Sequence, residues 1–364
     1  MAINTDSAAK PLTGIRVLDL TRLLPGPVAT MHLADLGADV VKIEDTGAGD
    51  YARVMGPVRN EVSQFFVAVN RGKQFLRLDL KDGAQHEQML KLVDTADVLV
   101  ESFRPGVMDK LGLGWNVLKL RNPTLVMCAI SGYGKDGPFA QLAGHDINYI
   151  GYAGMLDQNV GPDGTPALPN LQIGDLLGGA QTALQGILAA LVAVKMGGPG
   201  RFIDMSMTDA VLAHNIMPLA AVNNGATPPA GRDLLTGGVP CYNVYRTSDG
   251  RFMAVGALEL KFWQICCDVL GRPDLKSRHW QLGQSVGGVD ALALKAELDA
   301  IFAQHTQAVW SAKFGASDCC VSPVLRMDEA LQHPLFQARK MVAQAEHATE
   351  GPFWAVAHPI KFEL

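Results

Sequence analysis

The alternation of short apolar runs with helical patterns constrains the fold of this chain most. Residues 15–20 form an apolar run, a helical pattern follows as far as Gly37, and residues 38–44 form a second apolar run. This strand–helix–strand order predicts parallel strands joined by a right-handed crossover. Further strands are predicted at residues 75–80, 96–101, 124–130 and 201–206. The sequence therefore predicts a large doubly wound α/β domain with a parallel sheet.

A second, smaller domain is predicted beyond a Gly- and Pro-rich segment. The large domain is expected to cover residues 1–223, the linker residues 224–240 and a small α+β domain residues 241–320. The small domain begins with a predicted hairpin and continues with three predicted helices. Residues 321–364 have too few apolar residues for a core of their own, so they are expected to return to the large domain.

Composition and charge exclude several classes of protein. The chain has 364 residues, of which 48% are hydrophobic, and a net charge of −5. This slight acidity argues against a nucleic-acid or anionic-membrane partner. Residues 1–10 are polar and lack the apolar core of a secretory signal, which predicts a cytoplasmic or organelle-matrix protein. The apolar stretch 176–196 contains Gln and Gly residues, which favours a buried helix over a membrane span.

No motif for a metal or redox cofactor is present in the sequence. The six cysteines form no CxxC pair, and no His cluster has metal-ligand spacing, so free buried thiols are expected. No G-x-G-x-x-G motif follows the first predicted strand, and two prolines occupy that turn. NAD and FAD are therefore not expected to bind.

A candidate proton-transfer site lies between Gly144 and Asp175. His145 stands between Gly144 and Asp146 at a predicted helix start, and Asp175 is predicted to be the first residue of another helix. Helix starts offer free backbone N–H groups and a positive dipole end to a developing oxyanion. Alternatively, His145 is a hydrogen-bonded structural residue and Asp175 a helix cap.

Basic residues cluster near the carboxyl ends of predicted strands, where ligands bind in open α/β sheets. Arg22 follows the first strand, and two compact motifs adjoin later strands: Asn70-Arg71-Gly72-Lys73 and Phe103-Arg104-Pro105-Gly106. Arg and Lys in such loops suit phosphate or pyrophosphate groups. Surface salt bridges are the alternative.

Two residues of the small domain are further candidates. Glu259 follows a predicted strand and begins a helix, which helix capping alone would explain. Tyr242 lies in the predicted hairpin. Its side chain either packs in the core or donates a hydrogen bond to a ligand.

Taken together, these motifs resemble the family III (CaiB/BaiF) CoA-transferases over nearly the full chain, and within them most closely the α-methylacyl-CoA racemases. The residues that carry the resemblance are Leu12 to Leu20 with Pro25-Gly26-Pro27, Leu36 to Glu44, Asn70-Arg71-Gly72-Lys73, Phe103-Arg104-Pro105-Gly106, Gly144-His145-Asp146-Ile147-Asn148-Tyr149, Gly174-Asp175 and Val255-Gly256-Ala257-Leu258-Glu259. The resemblance implies an interlocked homodimer whose active site combines one subunit's large domain with the other's small domain. It also implies an acyl-CoA substrate of lipid metabolism, with CoA bound by the basic residues Arg104, Lys73, Arg71 and Arg22 and with no separate cofactor.

For the racemases, the resemblance implies that His145 and Asp175 face the two sides of the substrate α-carbon and exchange its proton through an enolate. Glu259 would reach His145 from the other subunit and raise its basicity. Tyr242 would assist, and Asp146 matches without a defined role. Interconversion of (2R)- and (2S)-2-methylacyl-CoA is therefore the expected activity.

Two alternatives remain at this point. In the transferases the residue matching Asp175 attacks the thioester and forms a mixed anhydride. His145 with Glu259, and the absence of a four-glycine loop used by several transferases, favour the racemase. A non-catalytic acyl-CoA-binding protein is a further alternative, although it would not need both His145 and Asp175. Asp45, where racemases often carry a basic residue, and Cys241, where they can carry an aromatic one, depart from the racemase pattern.

Overall fold

A computed structural model describes residues 10–161, 163–227, 229–347 and 351–363. Contacts group the described residues into two compact units. The first unit comprises Met1–Met155, Pro169–Asn215 and Pro334–Leu364, and the second comprises Leu156–Leu168 and Ile216–His333. The segment expected to be a linker, 224–240, falls within the second unit, and the chain from Pro334 onwards falls within the first.

Strands and helices alternate through most of the first unit. The strands are β1 (Arg16–Leu20), β2 (Asp39–Glu44), β3 (Val58–Arg59), β4 (Val62–Ser63), β5 (Gln74–Arg77), β6 (Val98–Glu101), β7 (Val126–Ser131), β8 (Arg201–Ser206), β9 (Tyr242–Arg246), β10 (Phe252–Gly256), β11 (Val321–Pro323), β12 (Val342–His347) and β13 (Gly351–Val356). The α-helices are α1 (Pro25–Asp35), α2 (Gln64–Asn70), α3 (Gly83–Val93), α4 (Val107–Lys110), α5 (Trp115–Arg121), α6 (Asp146–Tyr152), α7 (Met155–Gln158), α8 (Thr182–Lys195), α9 (Met207–His214), α10 (Ile216–Asn223), α11 (Leu260–Val269), α12 (Val289–Phe302), α13 (Gln307–Phe314), α14 (Met327–Gln332) and α15 (Pro334–Ala338). A π-helix (Gly174–Gln181) precedes α8, and short 3-10 helices lie at Tyr51–Val54, Pro273–Ser277 and Trp280–Leu282.

Six parallel strands form the sheet of the first unit, in the order β5-β2-β1-β6-β7-β8. Numbered within this sheet, the order is 3-2-1-4-5-6, the doubly wound arrangement. The predicted fold class, a large parallel-sheet domain with a smaller α+β part, is confirmed. The strand order reverses between β1 and β6, which creates a crevice outside the carboxyl ends of these two strands.

The third predicted strand is shorter than expected. It was predicted at residues 75–80, whereas β5 covers Gln74–Arg77. Asp79 ends the extended conformation because its N–H donates to Gln85 Oε1 at 2.8 Å and its carboxylate accepts from the N–H of Lys81 at 3.0 Å. These bonds form the turn into α3.

The central strands are buried on both faces. Val17, Val98 and Val126 belong to a core that includes α1 and α8, whereas Leu18 and Leu99 belong to a second core on the side of α3. The run Gly174–Lys195 has 22 residues and would suffice for a membrane span by length and composition alone. In the structure it packs on α1, α9 and the sheet.

An antiparallel sheet in the order β11-β10-β9 forms the centre of the second unit. The predicted hairpin is present as β9 and β10, with Tyr245 opposite Met253. Trp263 and Phe302 are fully buried in its core. All six cysteines are free, and five are buried as predicted. Cys320 is exposed, which the sequence prediction missed.

Candidate functional site

His145 caps the N-terminus of α6, as predicted. Its backbone N–H donates to Asn148 Oδ1 at 3.0 Å, and its carbonyl accepts from the N–H of Asn148 at 2.8 Å. These two bonds fix the backbone of the turn. The side chain is exposed, and no side chain of the described residues accepts a hydrogen bond from its ring N–H. The ring is therefore accessible to a ligand.

Asp175 lies beside the start of α6. It is the second residue of the π-helix, an element that often occurs at functional sites. Its backbone N–H donates to Asp146 Oδ1 at 2.9 Å. Because Asp146 directly follows His145 in the chain, this bond brings the three candidate catalytic residues of the large domain to one place.

The environment of Asp175 changes its protonation. Burial raises the pKa of this carboxyl to about 7, and the negative charge of Asp146 adds to the shift. Asp175 is therefore poised between its acid and base forms near neutral pH. Such a pKa suits a group that both removes and returns protons.

Tyr149 supports this arrangement and was not predicted as a site residue. Its hydroxyl donates to the carbonyl of Gly144 at 2.5 Å, and burial raises its pKa further above the ordinary range, helped by the charge of Asp175. A Cβ atom at Gly174 would lie 3.0 Å from Asp146 Oδ1 and 3.3 Å from Tyr149 Cβ. Glycine at this position therefore allows the close approach. The spacing of three residues between Asp146 and Tyr149 was the available signal, since such residues share a helix face.

One expectation about backbone donors is wrong. The N–H groups at the start of the Asp175 helix are not free, because Asp175 donates to Asp146 and Leu176 donates to the carbonyl of Gln172 at 2.8 Å. At the start of α6, the N–H groups of Asp146 and Ile147 have no acceptor within the described chain. These two N–H groups are available to a developing oxyanion.

Two of the predicted basic residues lie at the crevice between β1 and β6. The backbone N–H of Arg22 donates to Ser102 Oγ at 3.1 Å, which joins the two loops. The guanidinium of Arg22 pairs with Asp45 at 2.8 Å and lies 5.6 Å from the Phe103 ring centroid. Arg104 is exposed and has no ion pair or side-chain hydrogen bond among the described residues.

Lys73 is expected to bind CoA, but its ammonium is buried inside the protein. Its Nζ donates to Asp19 Oδ2 at 2.9 Å, to the Pro27 carbonyl at 2.8 Å and to Asn70 Oδ1 at 2.9 Å. The Lys73 and Asp19 side chains are both 0% exposed. All three ammonium protons are used, so Lys73 holds the β1–α1 loop and has no donor left for CoA.

Arg71 is also engaged within the protein. Its guanidinium pairs with Asp35 Oδ2 at 2.6 Å, and both side chains are largely buried. A CoA phosphate could bind Arg71 only by competing with this pair, and the same holds for Arg22 and its pair with Asp45, so Arg104 is the better placed basic group.

Tyr242 and Glu259 lie together at one end of the hairpin in the second unit. Tyr242 begins β9 and is paired with Gly256, the last residue of β10. Glu259 follows three residues later as the N-cap of α11, exposed and without a side-chain capping bond. His145 and Asp175 belong to the first unit, so the roles predicted for Tyr242 and Glu259 stay predictions.

Residues 12–364 match the profile of CoA-transferase family III. The chain belongs to this family. Among the described residues, no group of three or more His, Cys, Asp or Glu side chains could hold a metal ion.

The relatives of this family III protein include both racemases and transferases. The chain is 36% identical to the α-methylacyl-CoA racemase of Homo sapiens, over 94% of this chain and 85% of that protein. It is 34% identical to the acetyl-CoA:oxalate CoA-transferase of Acetobacter aceti, over 92% of this chain and 86% of that protein. The solved structure of Rv3272 from Mycobacterium tuberculosis has a TM-score of 0.82 at 30% identity, covering 98% of this chain and 94% of that one. Membership of the family thus leaves two reactions to consider.

Proposed function

We propose that this family III enzyme is a racemase that interconverts (2R)- and (2S)-2-methylacyl-CoA thioesters through an enolate. The observation that carries the proposal is the position of Asp175, with a pKa of about 7, beside the helix capped by His145. Two proton-transfer groups on neighbouring elements are what exchange of an α-proton on both faces requires.

The proposed reaction begins with removal of the α-proton by one of the two groups. The electron pair of the C–H bond moves to the thioester carbonyl, and the resulting enolate oxygen is stabilised by the N–H groups of Asp146 and Ile147. The other group, already protonated, returns a proton to the opposite face. Because Asp175 titrates near neutral pH, it can begin the cycle in either state.

The CoA portion of the substrate is proposed to bind at the crevice between β1 and β6. Arg104 offers an unpaired guanidinium there, and Arg22 is held nearby by Ser102. Guanidinium groups bind phosphates through paired hydrogen bonds. The thioester is the only CoA species that the reaction needs, and we propose no metal or redox cofactor.

A second copy of the chain is proposed to complete the site. His145 has no acceptor for its ring N–H among the described residues, and the carboxylate of Glu259 has no donor. A carboxylate that accepts from one imidazole nitrogen fixes the ring and raises the basicity of the other nitrogen. We propose that Glu259 of the partner subunit does this in a homodimer, with Tyr242 beside it.

CoA transfer between carboxylic acids is the second candidate. In that reaction Asp175 would attack the thioester carbonyl, the CoA thiolate would leave and a mixed anhydride would form. The similarity to the Acetobacter aceti transferase favours it. However, the raised pKa of Asp175 reduces its nucleophilic carboxylate form at neutral pH, and a nucleophilic mechanism gives His145 no role.

Two assays on the same preparation distinguish these activities. A single epimer of a 2-methylacyl-CoA is incubated in deuterated water, and CoA transfer to an added carboxylic acid is measured in parallel. The proposal expects loss of optical purity with deuterium at the α-carbon. Transfer without deuteration would instead establish the transferase, and bound CoA without either reaction would indicate a binding protein.

A further inference from the structure

A cavity of about 350 Å³ opens at the carboxyl ends of β6, β7 and β8. Its position follows from the register of the sheet, which pairs Glu101 with Ala129 and Ala129 with Asp204. Paired residues on adjacent parallel strands project from the same face. The small methyl group of Ala129 therefore lies between two carboxylates and leaves space between them.

Glu101 is a buried acid without a counter-charge. It is only 7% exposed, and its Oε2 accepts a 2.7 Å hydrogen bond from the N–H of Phe103. Its Oε1 has no hydrogen-bond partner in the described part of the chain, and no cation there pairs with it. Burial raises the pKa of Glu101 to about 7, and the charge of Asp109 contributes to the shift. Because burial disfavours an ionised carboxylate without a counter-charge, a bound cation would stabilise the ionised form of Glu101.

The other charged groups around the cavity leave it acidic. Asp109 and Asp204 line it together with one lysine, Lys135. The ammonium of Lys135 is 3.1 Å from the carboxylate of Asp136, which partly neutralises it. The cavity wall therefore carries three carboxylates, those of Glu101, Asp109 and Asp204, and one ammonium that already pairs with a carboxylate outside the wall. This excess of negative charge favours a cation over a phosphate.

Three aromatic rings form part of the wall and indicate what kind of cation fits. Phe103, Trp115 and Phe202 line the cavity, with the centroids of the last two rings 6.2 Å apart. Aromatic faces attract organic cations that have lost water. Within the described part of the chain, no group of three or more His, Cys, Asp or Glu side chains could hold a metal ion. An organic cation can fill the same space.

We propose that this cavity binds a small organic cation of the alkylammonium class, with Glu101 as its counter-charge and the three aromatic rings as part of its wall. The site is built from β6, β7, β8 and the segments after them, and does not include His145 or Asp175. It does not depend on the reaction proposed above.

Calorimetric titration of the full chain with tetramethylammonium chloride tests this site, with sodium chloride at the same ionic strength as reference. At pH 8 we expect saturable binding with a dissociation constant of about 1 mM or lower. E101Q keeps the shape and removes the charge, so affinity should fall about tenfold or more. E61Q, the same change at an exposed residue outside the cavity, should bind as the wild type does.

A second variant and a second condition keep the test valid if E101Q does not fold. D204N alters an exposed carboxylate of the same cavity and should weaken binding severalfold. Wild-type binding should also weaken between pH 8 and pH 6, because Glu101 takes up a proton in that range while facing Asp109, Asp204 and Lys135. Absence of saturable binding, equal affinity in the folded variants or tighter binding at pH 6 would overturn the proposal.

Discussion

The carboxylate of Asp146 accepts a 2.9 Å hydrogen bond from the backbone N–H of Asp175. This bond joins the first turn of α6, which His145 caps, to the π-helix that carries the candidate acid/base carboxylate. It also brings a second negative charge close to Asp175. The same contact therefore positions the two proposed catalytic groups and influences the protonation of one of them.

D146N should move the acid limb of the pH–rate profile to lower pH. The asparagine oxygen can still accept from Asp175, but the negative charge that helps to raise the pKa of Asp175 is lost. The pKa of Asp175 should then fall by about one unit. The pH dependence of kcat for racemisation reports this shift. An unchanged profile would mean that Asp146 acts only through its hydrogen bond.

D175N should increase stability while abolishing activity. The pKa of Asp175 in the folded protein, about 7, lies above its ordinary value of 3.8, so its carboxylate costs stability as the pH rises through that range. Asparagine removes this cost. Relative to wild type, the free energy of unfolding of D175N should rise by about 4 kcal/mol between pH 4 and pH 8. Urea denaturation at both pH values measures it, with E61Q as a control that should show no such trend.

K73M should destabilise the protein and leave CoA affinity nearly unchanged. Removing the ammonium leaves the carboxylate of Asp19 buried without its partner, which costs about 3 kcal/mol or more. The exposed Lys110 provides the control, because K110M should change stability by less than about 0.5 kcal/mol. Urea denaturation and CoA titration of the folded variant are the measurements. If K73M is as stable as the wild type but has lost its affinity for CoA, then Lys73 is a CoA ligand.

Burial of Lys73 illustrates what the sequence could not predict. Local patterns placed the strands, the helix starting after His145 and the β9–β10 hairpin, because these depend on periodicity and on residues close in sequence. The partner of Lys73, Asp19, is 54 residues away, and only the packed sheet brings them together. A basic motif in a loop thus looked like a phosphate site. The contact between Asp146 and Asp175, 29 residues apart, was hidden for the same reason.

Subunit mixing tests whether Glu259 acts across a dimer. H145A and E259Q chains with different tags are co-expressed, and the mixed dimer is isolated by two affinity steps. If His145 of one subunit works with Glu259 of the other, one of the two sites in the mixed dimer is intact, and about half of the wild-type activity should return. If the mixed dimer is as inactive as the two parent variants, Glu259 does not act on His145 of the other subunit.

The central claim, that His145 and Asp175 together move an α-proton, is tested most directly by following one epimer in deuterated water. Nuclear magnetic resonance measures α-deuterium and chromatography measures the epimer ratio, for the wild type and for H145A. The wild type should convert either epimer of a 2-methylacyl-CoA to a near-equal mixture that carries deuterium at the α-carbon. H145A should racemise at least about 100-fold more slowly. Full α-proton exchange with racemisation in H145A would contradict the account.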